Sequence, residues 1–170
     1  DPLDAATGRC QSNHHLLAIG GDANVALDPA HGVGNHDRTV PPLPAAVPGL
    51  APGTAFPRPY HEGPTTTSDT LADLAMNHWA HDLRPDLADH VGDAFAPWQH
   101  LKVHALSFGA HGSLDHPGAL DAIRSGTADW PASAATGGPE SIDDLWHAAV
   151  NGRGRFAFAA NVNDLAAAFA

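Results

Sequence analysis

Residues 141–159 read SIDDLWHAAVNGRGRFAFA, and this stretch decides the fold class. Its apolar residues recur with the spacing of one helix face. Ser141 followed by Asp144 predicts a capping box at the start of that helix, and Gly152 is placed to end it. The run RFAFA then predicts a short strand. A helix followed directly by a strand is typical of α/β proteins.

Three further stretches extend this pattern. Residues 13–21 form a short apolar run closed by two glycines, as a buried parallel strand does. Residues 70–84 have the spacing of an amphipathic helix that Ser68 or Asp69 can cap. Residues 98–112 alternate like a strand that ends in glycine. With two more short helices, the order is strand, long loop, helix, strand, helix, helix, strand, helix. This order predicts an α/β fold with a mostly parallel sheet flanked by helices, as in half of a doubly wound sheet.

A proline-rich segment separates the first strand from the first helix. The segment has no regular spacing of apolar residues. Residues 40–59 contain many prolines, which excludes a helix or a central strand there. Loops of this length usually carry a function or are disordered. We therefore predict a single domain over residues 1–170, with a loop insertion at 38–64 that lies over the surface and has little regular structure.

Charge excludes two classes of partner. The chain of 170 residues has 8 basic and 19 acidic residues, a formal net charge of −11. Nucleic-acid binding and anionic membrane surfaces both require an excess of Lys and Arg. The sequence also has no run of the ~20 apolar residues that a membrane-spanning helix needs. An apolar fraction of 43% is instead typical of a globular domain.

The sequence GD followed by GNHD, within residues 21–37, also occurs in the metal-binding loops of metallophosphoesterases. Such enzymes collect their ligands from the ends of several strands, around two metal ions. Here the two motifs are too close for a helix and a strand between them, and Pro29 separates them, so Asp22 and Asp37 lie on one loop. Other catalytic motifs, such as G-x-S-x-G, H-E-x-x-H and C-x-x-C, are absent from the sequence. A metal-dependent phosphoesterase is therefore the least favoured hypothesis, and we expect no enzymatic activity.

Thirteen histidines suggest a second alternative, a metal-responsive binding module. His78 and His81 are one helical turn apart and are able to share a metal ion. However, His78 falls on the apolar face of its helix, where a packed histidine is the commoner outcome. We expect His147 to form a hydrogen bond with a nearby carbonyl group, which is also the commoner fate.

Five other residues have expected structural roles. Asp143 and Asp144 lie near a helix N-terminus, where negative charge is favourable. Trp79 and Trp146 lie on the apolar faces of their helices, and we expect them to anchor these helices in the core. Cys10 is the single cysteine, so it is either a free thiol or half of a bridge to another chain segment.

Several stretches together resemble one family, the type IV pilus tip-associated adhesin and biogenesis proteins of the PilC/PilY kind. The residues that carry the resemblance are TLADLAMNHWAHDLRPDL at 70–87, WQHLKVHALSFGAHGSL at 98–114, and SIDDLWHAAVNGRGRFAFA at 141–159. CQSNHHLLAIGGDAN at 10–24 and GVGNHD at 32–37 follow the family's layout of a strand, a turn and a V-G-N-x-D segment. The resemblance therefore also offers a second interpretation of GNHD.

In that family the corresponding region is similar to the second half of a von Willebrand factor A-like domain. The resemblance implies a divalent cation, Mg²⁺ or Ca²⁺, at the carboxyl ends of the strands, with Asp22, Asn24 and Asp37 as its candidate ligands in this chain. The family's D-x-S-x-S loop does not occur in the sequence. A cation is therefore expected only where an N-terminal half supplies that loop.

The resemblance also implies a function. It suggests a non-enzymatic part of a pilus-tip adhesin or pilus biogenesis factor, secreted and exposed at the cell surface, that acts in attachment or pilus assembly. Its implied partners are the remainder of the same adhesin or the minor pilins of the tip, with a host or surface ligand as a further possibility. In that setting, Cys10 would bond a cysteine of the other half of the domain.

Overall fold

The computed structural model describes residues 8–21, 32–64, 67–93, 95–132 and 137–168. Within these ranges no helix is both long and apolar enough to cross a membrane. The strands and helices follow one another in the predicted order. They are β1 (Asn13–Ile19), α1 (Leu71–Ala80), β2 (Leu101–Phe108), α2 (Ala119–Ser125), α3 (Pro139–Asn151), β3 (Arg153–Ala159) and α4 (Val162–Ala168), with a single 3-10 turn at Gly8–Cys10.

The three strands form one parallel sheet in the order β1-β2-β3. Leu17 of β1 pairs with Ala105 of β2, which pairs in turn with Phe156 of β3. The predicted mixed α/β fold with a parallel sheet flanked by helices is confirmed. The von Willebrand A-like form of that sheet stays a prediction.

One face of the sheet packs against α1 and α3, and we call it the covered face. Leu17, Val103 and Ala105 point to this side, where Leu145 and Ala148 of α3 meet them with less than one per cent of their surface exposed. The alternation that predicted the strands therefore corresponds to real burial, because every second side chain of a strand faces the same layer.

Helix α1 begins as a capped helix, although at a residue that the sequence did not single out. The Thr70 hydroxyl accepts a hydrogen bond from the Asp73 amide, and the Asp73 carboxylate accepts from the Thr70 amide, so the two form a capping box. Ser68 and Asp69, the expected caps, precede it. Sequence reasoning placed the start correctly to within two residues.

The predicted capping box of α3 is wrong. The helix begins at Pro139, whose ring suits the first helical position, and its N-cap Gly138 has no side chain to donate or accept. Ser141 consequently lies inside the first turn, and its hydroxyl donates to the Gly138 carbonyl at 2.6 Å. Asp144 is then too far along the helix to cap it.

The proline-rich segment has little regular structure, as predicted, but it does not merely lie over the surface. Its backbone forms two isolated antiparallel bridges, Thr39–Ala55 and Val47–Leu50. Val40, Val47 and Phe56 are buried in one cluster. The other buried members of that cluster are Met76, Trp79, Ala80, Ala96 and Trp98. The expectation of a surface loop is thus corrected, because the segment provides an outer apolar layer over α1.

The second face of the sheet is much less protected, and we call it the open face. Helix α4 lies over part of it, and Leu165 of α4 lines a shallow pocket together with Leu106 of β2. Leu16 of β1 and Phe108 of β2 remain 46% and 40% exposed. A three-stranded sheet with a single complete helical layer therefore leaves apolar surface in solvent.

Candidate functional site

A cleft of about 540 Å³ lies beside β3 near the carboxyl ends of the strands. Its walls come from the start of α3, from the C-terminal part of α4 and from the loop after β2, residues 111–116. In open α/β sheets this edge is where ligands bind, because the loops and helix ends there surround a crevice. The cleft is therefore the candidate binding site.

Aromatic rings form the floor of this cleft. Phe156 and Phe158 project to the same side of β3 and are partly exposed. His111 lies over Phe158, with ring centroids 3.8 Å apart. His116 presents its ring edge-on to Phe156 at 4.9 Å and to Trp146 at 4.6 Å. Trp146 is itself buried, as expected for an anchor, and supports the floor from below.

Asp143 holds the loop that forms one wall of the cleft. Its carboxylate accepts hydrogen bonds from the Ser113 amide at 2.9 Å, the Ser113 hydroxyl at 2.5 Å and the Leu114 amide at 3.2 Å. Gly112 permits this approach, because a Cβ atom at that position would collide with the Asp143 carboxylate. The expectation that Asp143 serves its own helix N-terminus is corrected, since it fixes a neighbouring loop instead.

Asp144 likewise acts on a different helix from the one that contains it. Its two carboxylate oxygens accept hydrogen bonds from the amides of Leu71 at 2.9 Å and Ala72 at 3.2 Å, the first residues of α1. Negative charge at a helix N-terminus is favourable, as expected, but the helix is α1. Asp144 thereby joins the two helices of the covered face.

The charges of the cleft are acidic. Asp115 is exposed in the wall loop, and Asp164 projects from α4. The Oδ2 atom of Asp164 accepts from the Ala160 amide at 3.0 Å and from the Asn161 side chain at 2.8 Å. No lysine or arginine lines the cleft in the part of the chain that the structure describes. Burial lowers the pKa of His116, which keeps this ring neutral at neutral pH.

Asp37, the candidate metal ligand that the structure describes, is buried among polar groups of α1 and α3. Its Oδ2 atom accepts from the Asn151 side chain at 3.0 Å and lies 3.4 Å from His147 Nε2. Nε2 of His147 lies 3.0 Å from the Tyr60 carbonyl oxygen, so the predicted histidine–carbonyl hydrogen bond is present. Burial raises the pKa of Asp37 to about 8 and lowers that of His147 to about 3, so the pair is neutral rather than ionic at pH 7.

Two more buried carboxylates, those of Asp73 and Glu62, lie near Asp37. Asp73 accepts from the amides of His36 at 2.6 Å and Asp37 at 3.2 Å, and Glu62 accepts from the Thr67 amide at 2.8 Å. Burial, together with the negative charge of Asp73, raises the pKa of Glu62 to about 7. These carboxylates bind backbone amides, which is how buried polar groups are normally satisfied.

No metal site emerges from the residues that the structure describes. None of their His, Cys, Asp and Glu side chains come together in a group of three able to hold an ion. His78 Nδ1 and His81 Nδ1 each lie 2.8 Å from a carbonyl oxygen one turn back in the chain, those of Leu74 and Asn77. Asp22 and Asn24, the other two candidate ligands, lie outside the described residues.

Comparison with known proteins identifies relatives of the whole chain. Over 94% of its length the chain is 32% identical to the type IV pilus biogenesis factor PilY1 of Pseudomonas aeruginosa strain PAO1, and equally to that of strain PAK. The chain is homologous to PilY1. The PilY1 of strain UCBPP-PA14 is 25% identical over 98% of the chain. The chain spans only 15 to 16% of the length of these relatives. No protein-family model and no solved structure matches it.

The remaining sequence-predicted residues lie away from the cleft floor. Trp79 is buried in the outer layer, where the Arg153 guanidinium lies 3.5 Å from its ring centroid. Cys10 is an exposed free thiol, and its pairing with another segment stays a prediction. Sequence reasoning missed Asp115 and Asp164, which line the same cleft only because α4 packs against β3. The two-residue spacing of Phe156 and Phe158 was a usable signal for the cleft, because it places both rings on one side of a strand.

Proposed function

We propose that the chain is a non-enzymatic part of a type IV pilus biogenesis factor, secreted and exposed at the pilus tip, that acts in pilus assembly or surface attachment. The observation that carries the proposal is the 32% identity to PilY1 over 94% of the chain. A shared fold alone would not support a function, but similarity along nearly the whole chain transfers the coarse role of the corresponding region.

The geometry supports binding rather than catalysis. The carboxylate and imidazole of Asp37 and His147 lie 3.4 Å apart, but these residues are only 1% and 2% exposed and have no access to a substrate. The accessible cleft contains rings and carboxylates without an activated nucleophile beside a base. Such a site suits contact with another pilus component, either the remainder of the same adhesin or a minor pilin.

Deletion of the gene that encodes this chain, in its own organism, tests the proposed role. Surface pili are counted by electron microscopy, and attached cells are counted on an abiotic surface. We expect fewer pili, or normal pili with fewer attached cells, and recovery when the gene is returned. The first outcome indicates assembly and the second attachment. Normal pili together with normal attachment would contradict the proposal.

A hydrolysis assay tests the absence of catalysis. The purified chain is incubated with a chromogenic phosphodiester and Mg²⁺, Ca²⁺, Mn²⁺ or Zn²⁺, beside an Asp37→Ala variant. We expect no turnover above buffer in either protein. Metal-dependent turnover by the native chain that disappears in the variant would restore the phosphoesterase hypothesis.

A further inference from the structure

We infer that the cleft between the 111–116 loop, β3 and α4 binds a basic side chain, an arginine or lysine presented by a protein partner. This inference rests on the proposed function, since a pilus factor acts through other proteins. It is tested on the purified chain, however, so it can fail while the gene-deletion experiment succeeds, and the reverse also holds.

The accessible charge of the cleft is negative. Asp115 and Asp164 line the cleft, and neither Asp115 nor the Oδ1 atom of Asp164 has a hydrogen-bond partner among the residues that the structure describes. The third carboxylate, Asp143, is already occupied by Ser113 and Leu114. The Asp115 carboxylate and the Oδ1 atom of Asp164 are thus available in one concave site and attract a cation. The formal charge of −11 of the whole chain favours the approach of a basic partner over an acidic one.

The aromatic floor of the cleft suits the apolar part of a basic side chain. The apolar stem of arginine or lysine packs against aromatic rings while its charged head remains in water or reaches a carboxylate. Phe156 and Phe158 are partly exposed, with His111 over one ring and His116 and Trp146 packed on the other, so they provide apolar surface for the stem. A small inorganic cation would use only the carboxylates. The combination of rings and carboxylates therefore selects an organic cation.

Elsewhere the chain holds one of its own arginines against aromatic rings. The guanidinium of Arg153 lies 3.5 Å from the Trp79 ring centroid and 4.1 Å from the Tyr60 ring centroid. That internal site is filled and buried. The cleft differs in that it combines partly exposed aromatic surface with carboxylates and opens to solvent.

The position of the basic residues around the cleft defines its limit. Arg124 and Arg155 line a neighbouring groove on the other side of His116 and Phe156. A cation is therefore favoured on the Asp115 side of these rings and disfavoured on the Arg155 side. This asymmetry predicts which amide signals move when a basic ligand binds.

Titration of the isotope-labelled chain with two capped tripeptides, followed by NMR, tests the inference. One peptide is acetyl-Gly-Arg-Gly-amide, and the other carries citrulline, which has nearly the shape of arginine without its charge. We expect the amides of residues 111–116 and 156–158 to shift with a Kd on the order of 1 mM for the arginine peptide. The citrulline peptide should bind at least about tenfold more weakly, and about 0.5 M salt should lower the affinity of the arginine peptide. Equal affinity for the two peptides would overturn the inference. So would the absence of chemical-shift changes at about 10 mM arginine peptide, ten times the expected Kd.

Two charge-removing variants locate the site. Asp115→Asn and Asp164→Asn should each lower the affinity for the arginine peptide several-fold. Both variants should have the melting temperature of the native chain. Asp89→Asn is the matched control, because Asp89 is exposed in the segment between α1 and β2 and does not line the cleft. Binding that is unchanged in both cleft variants, or that is weakened as much by Asp89→Asn, would show that the peptide binds elsewhere.

Discussion

The covered face of the sheet and the open face differ in how many layers protect them. On the covered face, α1 and α3 pack on the strands, and the proline-rich segment adds a second layer outside α1. On the open face, the short helix α4 protects β3 and part of β2, and Leu16 and Phe108 remain in solvent. Because buried apolar area drives folding, the covered face must supply most of the stability of this chain.

The comparison also separates structural polar groups from those available for binding. Asp37, Asp73 and Asp144 are engaged on the covered side, where they bind amides and side-chain donors. Asp115 and Asp164 keep accessible carboxylate oxygens and line the cleft beside β3. An acidic residue in a motif is therefore not by itself a ligand, since its packing decides whether its oxygens remain available.

Removal of residues 41–59 should have the largest effect on stability. The deletion takes away Val47 and Phe56 and exposes Met76, Trp79 and Trp98, so we expect a melting temperature at least about 10 °C lower, or no folding. Circular dichroism melts measure this. A control deletion of residues 162–170, which removes the open-face helix, should cost less. A larger loss from the control would reverse the ranking of the two faces.

Trp146→Ala should cost about 3 to 5 kcal/mol of unfolding free energy, because it leaves a cavity beneath three aromatic neighbours. Those neighbours, Trp130, His116 and Phe156, have ring centroids 4.6 to 5.9 Å from it. Urea denaturation gives the value. Phe108→Ala on the open face is the comparison, and we expect a loss of about 1 kcal/mol or less there. Similar losses at the two sites would contradict the difference between the faces.

Asp37→Asn should change how stability depends on pH. The ordinary pKa of this carboxyl is 3.8, and burial, followed by the charges of Asp73 and Glu62, raises it to about 8. Between those values the folded chain binds a proton that the unfolded chain releases, so stability falls as pH rises from about 4 to 8. The variant lacks this loss. Its melting temperature relative to the native chain should therefore increase steadily from pH 5 to pH 8.

His147 has the opposite pH dependence, and the same experiment separates it from Asp37. Burial lowers its pKa from 6.5 to about 3, so its contribution is lost as pH falls below about 6.5, in both proteins. Asp121→Asn, at an exposed position of α2, is the control and should leave the pH profile unchanged. If the melting temperatures of Asp37→Asn and the native chain change with pH in parallel, Asp37 is ionised in the folded chain.

Leu16→Ser should have the smallest effect. Nearly half of this side chain is already in solvent, so its replacement changes the unfolding free energy by about 1 kcal/mol or less. Thermal melts with Leu17→Ser as the matched neighbour make the test sharp, because Leu17 points to the covered face. Equal losses for the two variants would mean that Leu16 is protected in solution.

Periodic elements could be predicted from the sequence because local spacing determines them. The order of strands and helices followed from the apolar spacing around residues 71–80, 101–108 and 139–151, and the structure confirms it. The start of α3 could not be predicted in this way, since Ser141 and Asp144 satisfy a local pattern that Pro139 pre-empts. A cap pattern states what a residue is able to do, whereas tertiary packing decides which helix it serves.

The candidate site was less predictable than the fold. Its aromatic floor follows from one strand, but Asp115, Asp164 and Trp146 come together through three separate elements. The role of Asp143 in holding Ser113 depends on a contact thirty residues away in the chain. The proline-rich segment misled for the same reason, because nothing local in it shows that Phe56 and Val40 pack on α1.

The measurement that tests the central claim most directly is complementation of the gene deletion by cleft variants. Cells that lack the gene receive the native gene, the Asp115→Asn variant or the Asp89→Asn control, and surface pili and attached cells are counted at matched protein levels. If the chain works in pilus biogenesis through its acidic cleft, the native and control genes restore the phenotype and Asp115→Asn does not. Full restoration by a variant that has lost arginine-peptide binding would contradict the account.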